Sequence, residues 1–157
     1  MLGLFRHLIV IVPLCVRRLC GRSSMSAAYR ITPTSTLLRI ELVGALEDAD
    51  VAELARDLQR MFKVLAPGGF NVLINCLALS RYSSSARDAL IDVQSTIAQF
   101  ARRTAYLADR PVIRGMALWI AHLSGDQNAK VVVTHAQAEQ WWNQSDGRIS
   151  AARKGMR

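Results

Sequence analysis

Apolar and polar residues alternate in a short segment near the start of the recognisable structure. In residues 37–43, Leu38, Ile40 and Leu42 alternate with more polar neighbours, which predicts a strand with one buried face. Residues 29–33 form a similar short strand, and the turn-rich residues 33–36 join the two. The pattern predicts a hairpin-like pair that closes at Gly44.

Beyond Gly44 the apolar residues recur every three or four positions in four stretches, which predicts four amphipathic helices. Between them lie three short apolar runs typical of buried strands, the first being a continuous run at 72–74 that leads to Cys76. The helices are predicted from a cap at Asp48 or Asp50 to Leu65, from Ser85 to Arg102, from a cap at Asp109 to Leu123, and from a cap at Thr134 to Trp142. The later strands are predicted at 104–107 and 130–133, and Trp141 and Trp142 are predicted to latch the last helix.

The order of elements is therefore β-β-α-β-α-β-α-β-α. Strands that alternate with helices need right-handed crossovers, so the predicted fold class is α/β, with a single mixed, mostly parallel sheet and covering helices. The domain is expected at residues 25–145. Residues 1–24 are interpreted as a leader or unfolded extension, and residues 146–157 as a basic C-terminal tail.

The net charge of +8 comes from the two ends of the chain. Residues 25–147 contain as many acidic as basic residues, while each end adds four basic ones: Arg6, Arg17, Arg18 and Arg22, then Arg148, Arg153, Lys154 and Arg157. A neutral body lacks the basic face that nucleic-acid binding needs, so no nucleic-acid partner is expected.

The cysteines and the leader bear on the compartment. The chain has three cysteines, an odd number, and no CxxC motif: Cys15, Cys20 and Cys76. A disulfide framework is therefore not expected, and a cytoplasmic location is predicted. The apolar run from Leu8 to Val16 is too short to span a bilayer and has no cleavage site after it. A start called too far upstream, a membrane-surface anchor and an exported protein stay open as explanations.

The order of elements and several motifs resemble the STAS domain, in particular its SpoIIAA-like relatives. The resemblance covers residues 29–142: Val72 to Asn75 match the third strand, Tyr82 to Ser85 match its Asp-Ser-Ser-Gly loop, and the C-terminal half shares Ala108-Asp109, Pro111, Arg114-Gly115, a valine strand and Trp141-Trp142. Tyr82 stands where those proteins have Asp, and Ser85 where they have Gly. The resemblance implies an anti-sigma factor antagonist, a non-enzymatic module with a kinase-like or anti-sigma partner, with Ser83 as phosphoacceptor and Ser84 as the neighbouring candidate.

The residues themselves leave two further interpretations open. No nucleophile–base pair, paired acid or metal-ligand spacing stands out, so catalytic residues, metals and cofactors are not expected. One interpretation is that the serines act only as helix caps. Alternatively, Arg81, Arg87, Arg110 and Arg114 are predicted to share the edge where two strands end, as a site for a small anion or an acidic lipid headgroup. The competing explanation is four solvated arginines that pair with Asp88, Asp92 and Asp109.

Overall fold

Within residues 28–144, five strands and four helices follow one another in the predicted order. A computed structural model describes residues 28–144, so the interpretations of residues 1–24 and 146–157 lie outside the described residues. The strands are β1 (Tyr29–Pro33), β2 (Leu37–Leu46), β3 (Asn71–Tyr82), β4 (Thr104–Leu107) and β5 (Ala129–Val132), and the helices are α1 (Asp48–Phe62), α2 (Ser84–Phe100), α3 (Pro111–Leu123) and α4 (His135–Asn143). The predicted fold class is confirmed.

The strands lie in one sheet in the order β1-β2-β3-β4-β5. β1 pairs with β2 antiparallel, and the three later pairs are parallel. The carboxyl ends of β2 to β5 therefore point to the same edge of the sheet, here called the carboxyl rim. Asn75 of β3 lies opposite Leu107 of β4, where β4 ends, but β3 continues past that level to Tyr82. The prediction that the chain leaves both strands side by side, after Cys76 and Ala108, is therefore wrong, because β3 extends beyond its neighbour.

The two faces of the sheet are covered unequally. Helices α1, α2 and α3 pack their buried residues, such as Leu54, Ile97 and Ile120, into one large core on the first face. α4 lies on the second face, where Trp141 and Trp142 pack against a smaller cluster. That cluster consists of Leu73, Ala105, Leu107, Val132 and Ala138. The tryptophans therefore hold the last helix to the sheet, as expected.

Strands β2 and β3 are longer than predicted. β2 does not close at Gly44 but continues to Leu46, and β3 does not end at Cys76 but continues to Tyr82. The pairing of β2 with β3 shifts register at two places, one of them beside Gly44, whose φ of 68° lies in the left-handed region that glycine tolerates. Because the pairing is irregular, apolar and polar residues do not alternate strictly through the ends of β2 and β3, and the sequence pattern did not predict these residues as strand.

Three helices begin at a different residue from the predicted one. The N-cap of α1 is Glu47, whose backbone N–H donates to the Asp50 carboxylate over 2.9 Å. The N-cap of α2 is Ser83 rather than Ser85, and that of α3 is Arg110 rather than Asp109. Glu47 and Arg110 are not among the preferred N-cap residues, so a search for preferred caps chose a neighbouring aspartate in each case. At α2 three consecutive serines offered the same cap, and helix boundaries of this kind are uncertain by one or two residues.

The remaining caps and ends follow the prediction more closely. The hydroxyl of Thr134 accepts the Gln137 N–H over 3.2 Å at the start of α4, as expected. α1 ends at Phe62 and α2 at Phe100, each slightly before the predicted end, and their rings stack with centroids 4.7 Å apart.

A chain of polar side chains crosses the large core. The Tyr106 hydroxyl donates to the Gln94 side-chain oxygen over 2.5 Å, and the Gln94 amide donates to the Asp126 carboxylate over 2.7 Å. The other Asp126 oxygen accepts the backbone N–H of Asn128 over 2.8 Å, just before β5. Because Gln94 and Tyr106 are almost fully buried, these bonds satisfy groups that water cannot reach.

Candidate functional site

The carboxyl rim brings the first turns of α1 and α2 together. β2 and β3 end side by side, with Leu46 opposite Tyr82, and the Ser83 N–H donates to the Leu46 carbonyl over 3.0 Å. Each strand is followed almost at once by a helix. The positive ends of two helix dipoles therefore lie at the same place.

The serine cluster at this place comprises Ser83, Ser84 and Ser85 of the β3–α2 junction together with Asp48 of α1. The Ser85 hydroxyl donates to the Asp48 carboxylate over 2.5 Å, and the Ser83 hydroxyl donates to the same oxygen over 3.2 Å. The Ser83 oxygen also accepts the Ala86 N–H over 3.1 Å. One hydroxyl thus caps α2 and ties it to α1.

The hydrogen bonds from the serines favour the charged form of Asp48. The pKa of Asp48 is lowered, chiefly by the hydrogen bond from Ser85 and then by that from Ser83. The carboxylate is exposed to solvent, so it carries its negative charge beside the serines at neutral pH.

The three serines differ in accessibility. Ser83 is half-buried, while Ser84 and Ser85 are exposed. Within residues 28–144 the Ser84 hydroxyl has no hydrogen-bond partner, in contrast to its two neighbours. Ser83 and Ser85 therefore both connect α2 to α1 through Asp48, and of the two only Ser83 also caps α2.

Asp48 was missed as a partner of the serines, because the sequence suggested only a helix cap. The signal lay in the topology: β2 and β3 are adjacent and parallel, so the residues that follow them are neighbours in space. Asp48 and Ser85 are 37 positions apart in the chain, and spacing alone does not connect them.

The four arginines of the predicted anion site have different surroundings. The Arg87 guanidinium pairs with Asp88 over 2.8 Å and lies over the Trp119 ring, 5.5 Å from its centroid. Arg114 lines a cleft beside β5, and Arg81 and Arg110 are exposed. Arg87 and Arg114 therefore serve separate surfaces, and a site formed by all four arginines stays a prediction.

α3 presents an apolar patch to solvent next to the serine cluster. The α3 patch consists of Val112, Leu118, Trp119 and Leu123, whose exposed fractions run from 48% for Trp119 and Leu123 to 71% for Val112. Arg87 connects the patch with the serines. Its backbone N–H donates to the Ser83 carbonyl in the first turn of α2, and its guanidinium lies over the Trp119 ring. Exposed apolar side chains grouped on one helix are typical of interaction surfaces.

Other chemistry is sparse in the part of the chain that the structure describes. Cys76 is buried, and burial raises the pKa of its thiol to about 12, so it behaves as a small apolar side chain. No group of three or more His, Cys, Asp or Glu side chains within residues 28–144 is arranged to hold a metal ion. None of the helices in that range is long and apolar enough to cross a bilayer.

Comparison with solved structures decides the fold. No protein-family model and no curated protein sequence matches the chain. The anti-sigma factor antagonist SpoIIAA, in its unphosphorylated form, superposes with a TM-score of 0.55 at 16% identity, over 76% of this chain and all of SpoIIAA. The protein has a SpoIIAA-like fold.

A second structure supports the same assignment. An uncharacterized Shewanella loihica protein of the DUF3478 family, itself described as SpoIIAA-like, superposes with a TM-score of 0.55 at 16% identity, over 73% of this chain and 91% of that one. The STAS and SpoIIAA-like resemblance seen in the sequence is confirmed at the level of the fold. At 16% identity, each of these two comparisons shows that the fold is shared.

Proposed function

We propose that this protein is a non-enzymatic regulatory module that binds a protein partner at the carboxyl rim, and that phosphorylation of Ser83 switches this binding. The observation that carries the proposal is the shared hydrogen bonding of Ser83 and Ser85 to Asp48, at the meeting point of two helix N-termini. The SpoIIAA-like fold supports it, because SpoIIAA is an anti-sigma factor antagonist with a defined unphosphorylated form.

A phosphate on Ser83 would be attracted by one neighbouring group and repelled by another. The free N–H groups and positive dipole end of α2 attract the phosphate oxygens. The Asp48 carboxylate, whose oxygen lies 3.2 Å from the Ser83 hydroxyl, repels them. Phosphorylation therefore converts an attractive contact between α1 and α2 into a repulsive one. The shape and the charge of the rim change together.

The α3 patch supports a protein as the partner. Its exposed apolar side chains adjoin the serine cluster through Arg87, so a single partner covering both would bury Trp119 and contact the serines. Aromatic residues beside an arginine are typical of the centres of protein interfaces. A partner that covers the serines would be sensitive to their charge.

Two variants separate the added charge from the lost cap. Asn and Asp are both good N-caps and have nearly the same shape, so Ser83→Asn keeps the α2 cap without charge and Ser83→Asp keeps it with charge. The tagged full-length chain and both variants are incubated with an extract of the native host. Bound proteins are identified and phosphosites are mapped by mass spectrometry.

We expect a partner that binds the wild type and Ser83→Asn and is lost with Ser83→Asp, together with a phosphate on Ser83. Phosphate found on Ser84 and not on Ser83 would contradict the assignment of the phosphorylation site to Ser83. The proposal is refuted if the Ser83→Asn and Ser83→Asp variants bind the same proteins and neither Ser83 nor Ser84 carries phosphate.

Two other elements of the expected function stay proposals. A cytoplasmic location agrees with a regulatory module whose Cys76 is free and buried. Binding of a small anion or an acidic lipid headgroup at Arg81, Arg87, Arg110 and Arg114 is the alternative function, and a thermal-shift screen with inorganic phosphate and with acidic lipids tests it. A melting temperature that none of these ligands changes removes that alternative.

A further inference from the structure

A cleft of about 310 Å³ lies along the outer side of β5, and β4 separates this strand from β3, which leads to the serine cluster. Among residues 28–144 no strand pairs with the outer side of β5, and α3 and α4 lie on its two faces. The polar lining of this edge cleft comes from all three elements: Arg114 of α3, Lys130 of β5, and Gln137 and Gln140 of α4, with Gln144 directly after that helix.

The backbone of β5 offers hydrogen-bonding groups to the cleft. The carbonyls of Asn128 and Val132 accept N–H groups from the β4 side, each over 3.0 Å. Because alternate residues of a strand direct their N–H and C=O to opposite sides, Val131 directs both of its groups to the open edge. The Val133 N–H is already held by the Gln137 side chain over 2.9 Å. Val131 is therefore the centre of an open strand edge.

The two cations of the edge cleft lie on opposite sides of the strand. Lys130 lies over the Trp141 ring on the α4 side, 5.3 Å from its centroid, whereas Arg114 comes from α3 on the other side. Neither forms an ion pair with a residue in the described range. Successive side chains of an added strand would point to alternate sides, so each cation is placed to meet a carboxylate.

The dimensions of the edge cleft match an extended peptide. Gln137 and Gln140 on α4 and Gln144 directly after it span about 10 Å along the cleft. About three residues of an extended strand cover the same distance. The glutamine side chains can both donate and accept hydrogen bonds along that length.

We propose that the β5 edge binds an extended acidic peptide segment of another protein by strand addition, with Val131 supplying backbone hydrogen bonds and Arg114 and Lys130 binding its carboxylates. Charge argues against the chain's own tail, which follows Gln144 but carries four basic residues and one acidic residue in positions 145–157. It argues equally against a second copy, since pairing two β5 edges would bring Arg114 and Lys130 of both copies together. The site uses no residue of the serine cluster and does not depend on its proposed phosphorylation.

The test uses the full-length chain and a fluorescein-labelled peptide rich in glutamate and valine. A peptide with lysine in place of glutamate is the matched ligand control. Binding is measured by fluorescence anisotropy, and amide hydrogen exchange at Val131 is measured by NMR with and without the peptide. The protein variants are Arg114→Glu with Lys130→Glu, the distant charge reversal Arg56→Glu as control, and Val131→Pro.

We expect the acidic peptide to bind and the lysine peptide to bind at least about tenfold more weakly. The double reversal should weaken binding by about tenfold, and Arg56→Glu should leave it unchanged. Slower amide exchange at Val131 in the complex reports the strand addition itself. Val131→Pro removes the outward N–H without touching the pairing with β4, so it should abolish binding while an unchanged amide spectrum of the core shows that the fold is kept.

Three results would overturn the inference: equal binding of both peptides, binding unaffected by the double reversal, or Val131 exchange that the peptide does not slow. Protection of Val131 in the absence of peptide would also overturn it. Such protection would assign the edge to the chain's own tail if it were independent of protein concentration, and to a second copy if it increased with concentration.

Discussion

Replacement of Ser83 by alanine tests the geometry of the serine cluster without any partner. The change removes the oxygen that accepts the Ala86 N–H over 3.1 Å and the hydroxyl that donates to Asp48 over 3.2 Å. Loss of an N-cap lowers the free energy of unfolding by about 1 kcal/mol. The contact with Asp48 adds little because the carboxylate is exposed and keeps its bond to Ser85. For a domain of this size the melting temperature should fall by about 4 °C.

The control is Ser84→Ala, one residue along the chain. Ser84 is exposed and its hydroxyl has no partner within residues 28–144, so this substitution should change the free energy of unfolding by less than about 0.5 kcal/mol. Urea unfolding followed by circular dichroism measures both variants against the wild type. If Ser83→Ala proved as stable as Ser84→Ala, the cap at Ser83 and the site built on it would be wrong.

Three further substitutions test other parts of the structure. Tyr106→Phe leaves the buried oxygen of Gln94 without its donor and should reduce the free energy of unfolding by about 1–3 kcal/mol; a wild-type urea midpoint would contradict the buried chain of polar groups. Gly44→Ala puts a side chain on a residue with a φ of 68° and should reduce stability by about 1 kcal/mol, although the space there is open, and an unchanged melting temperature would argue against the left-handed backbone. Asp48→Asn should be less stable than the wild type at neutral pH, because the folded state lowers the pKa of Asp48 below its ordinary value of 3.8. That difference should shrink as the pH falls below about 4 and the wild-type carboxylate becomes protonated in both states; a gap that persists at pH 2 would contradict it.

The order and type of the elements could be predicted because each carries its own local signal. The stripe of Val51, Leu54 and Leu58 marks α1, and the continuous run at 72–74 marks a strand covered on both faces, as the structure shows. The parallel pairing of β3 with β4 then followed from the helix between them. These features depend on residues close together in the chain.

The extra length of β3 and the partner of the serines depend on contacts between distant residues. The end of β3 is held by β2 through an irregular register that no repeat in the sequence reveals. Asp48 reaches Ser85 only because β2 and β3 end at the same rim. The edge cleft likewise combines Arg114 with residues of β5 and α4, which lie far from it in the chain and which the sequence pattern did not connect with it.

The buried amide of Gln94 has a consequence for how the last strand finds its place. From the middle of α2 it donates to Asp126 in the turn before β5, so it helps to fix where this strand of only four residues starts. An apolar residue at position 94 could fill the same volume but would make no hydrogen bond to Asp126, so it would not help to fix the start of β5. We therefore expect replacement of Gln94 by leucine to produce several coexisting alignments of β5 rather than a uniform loss of structure.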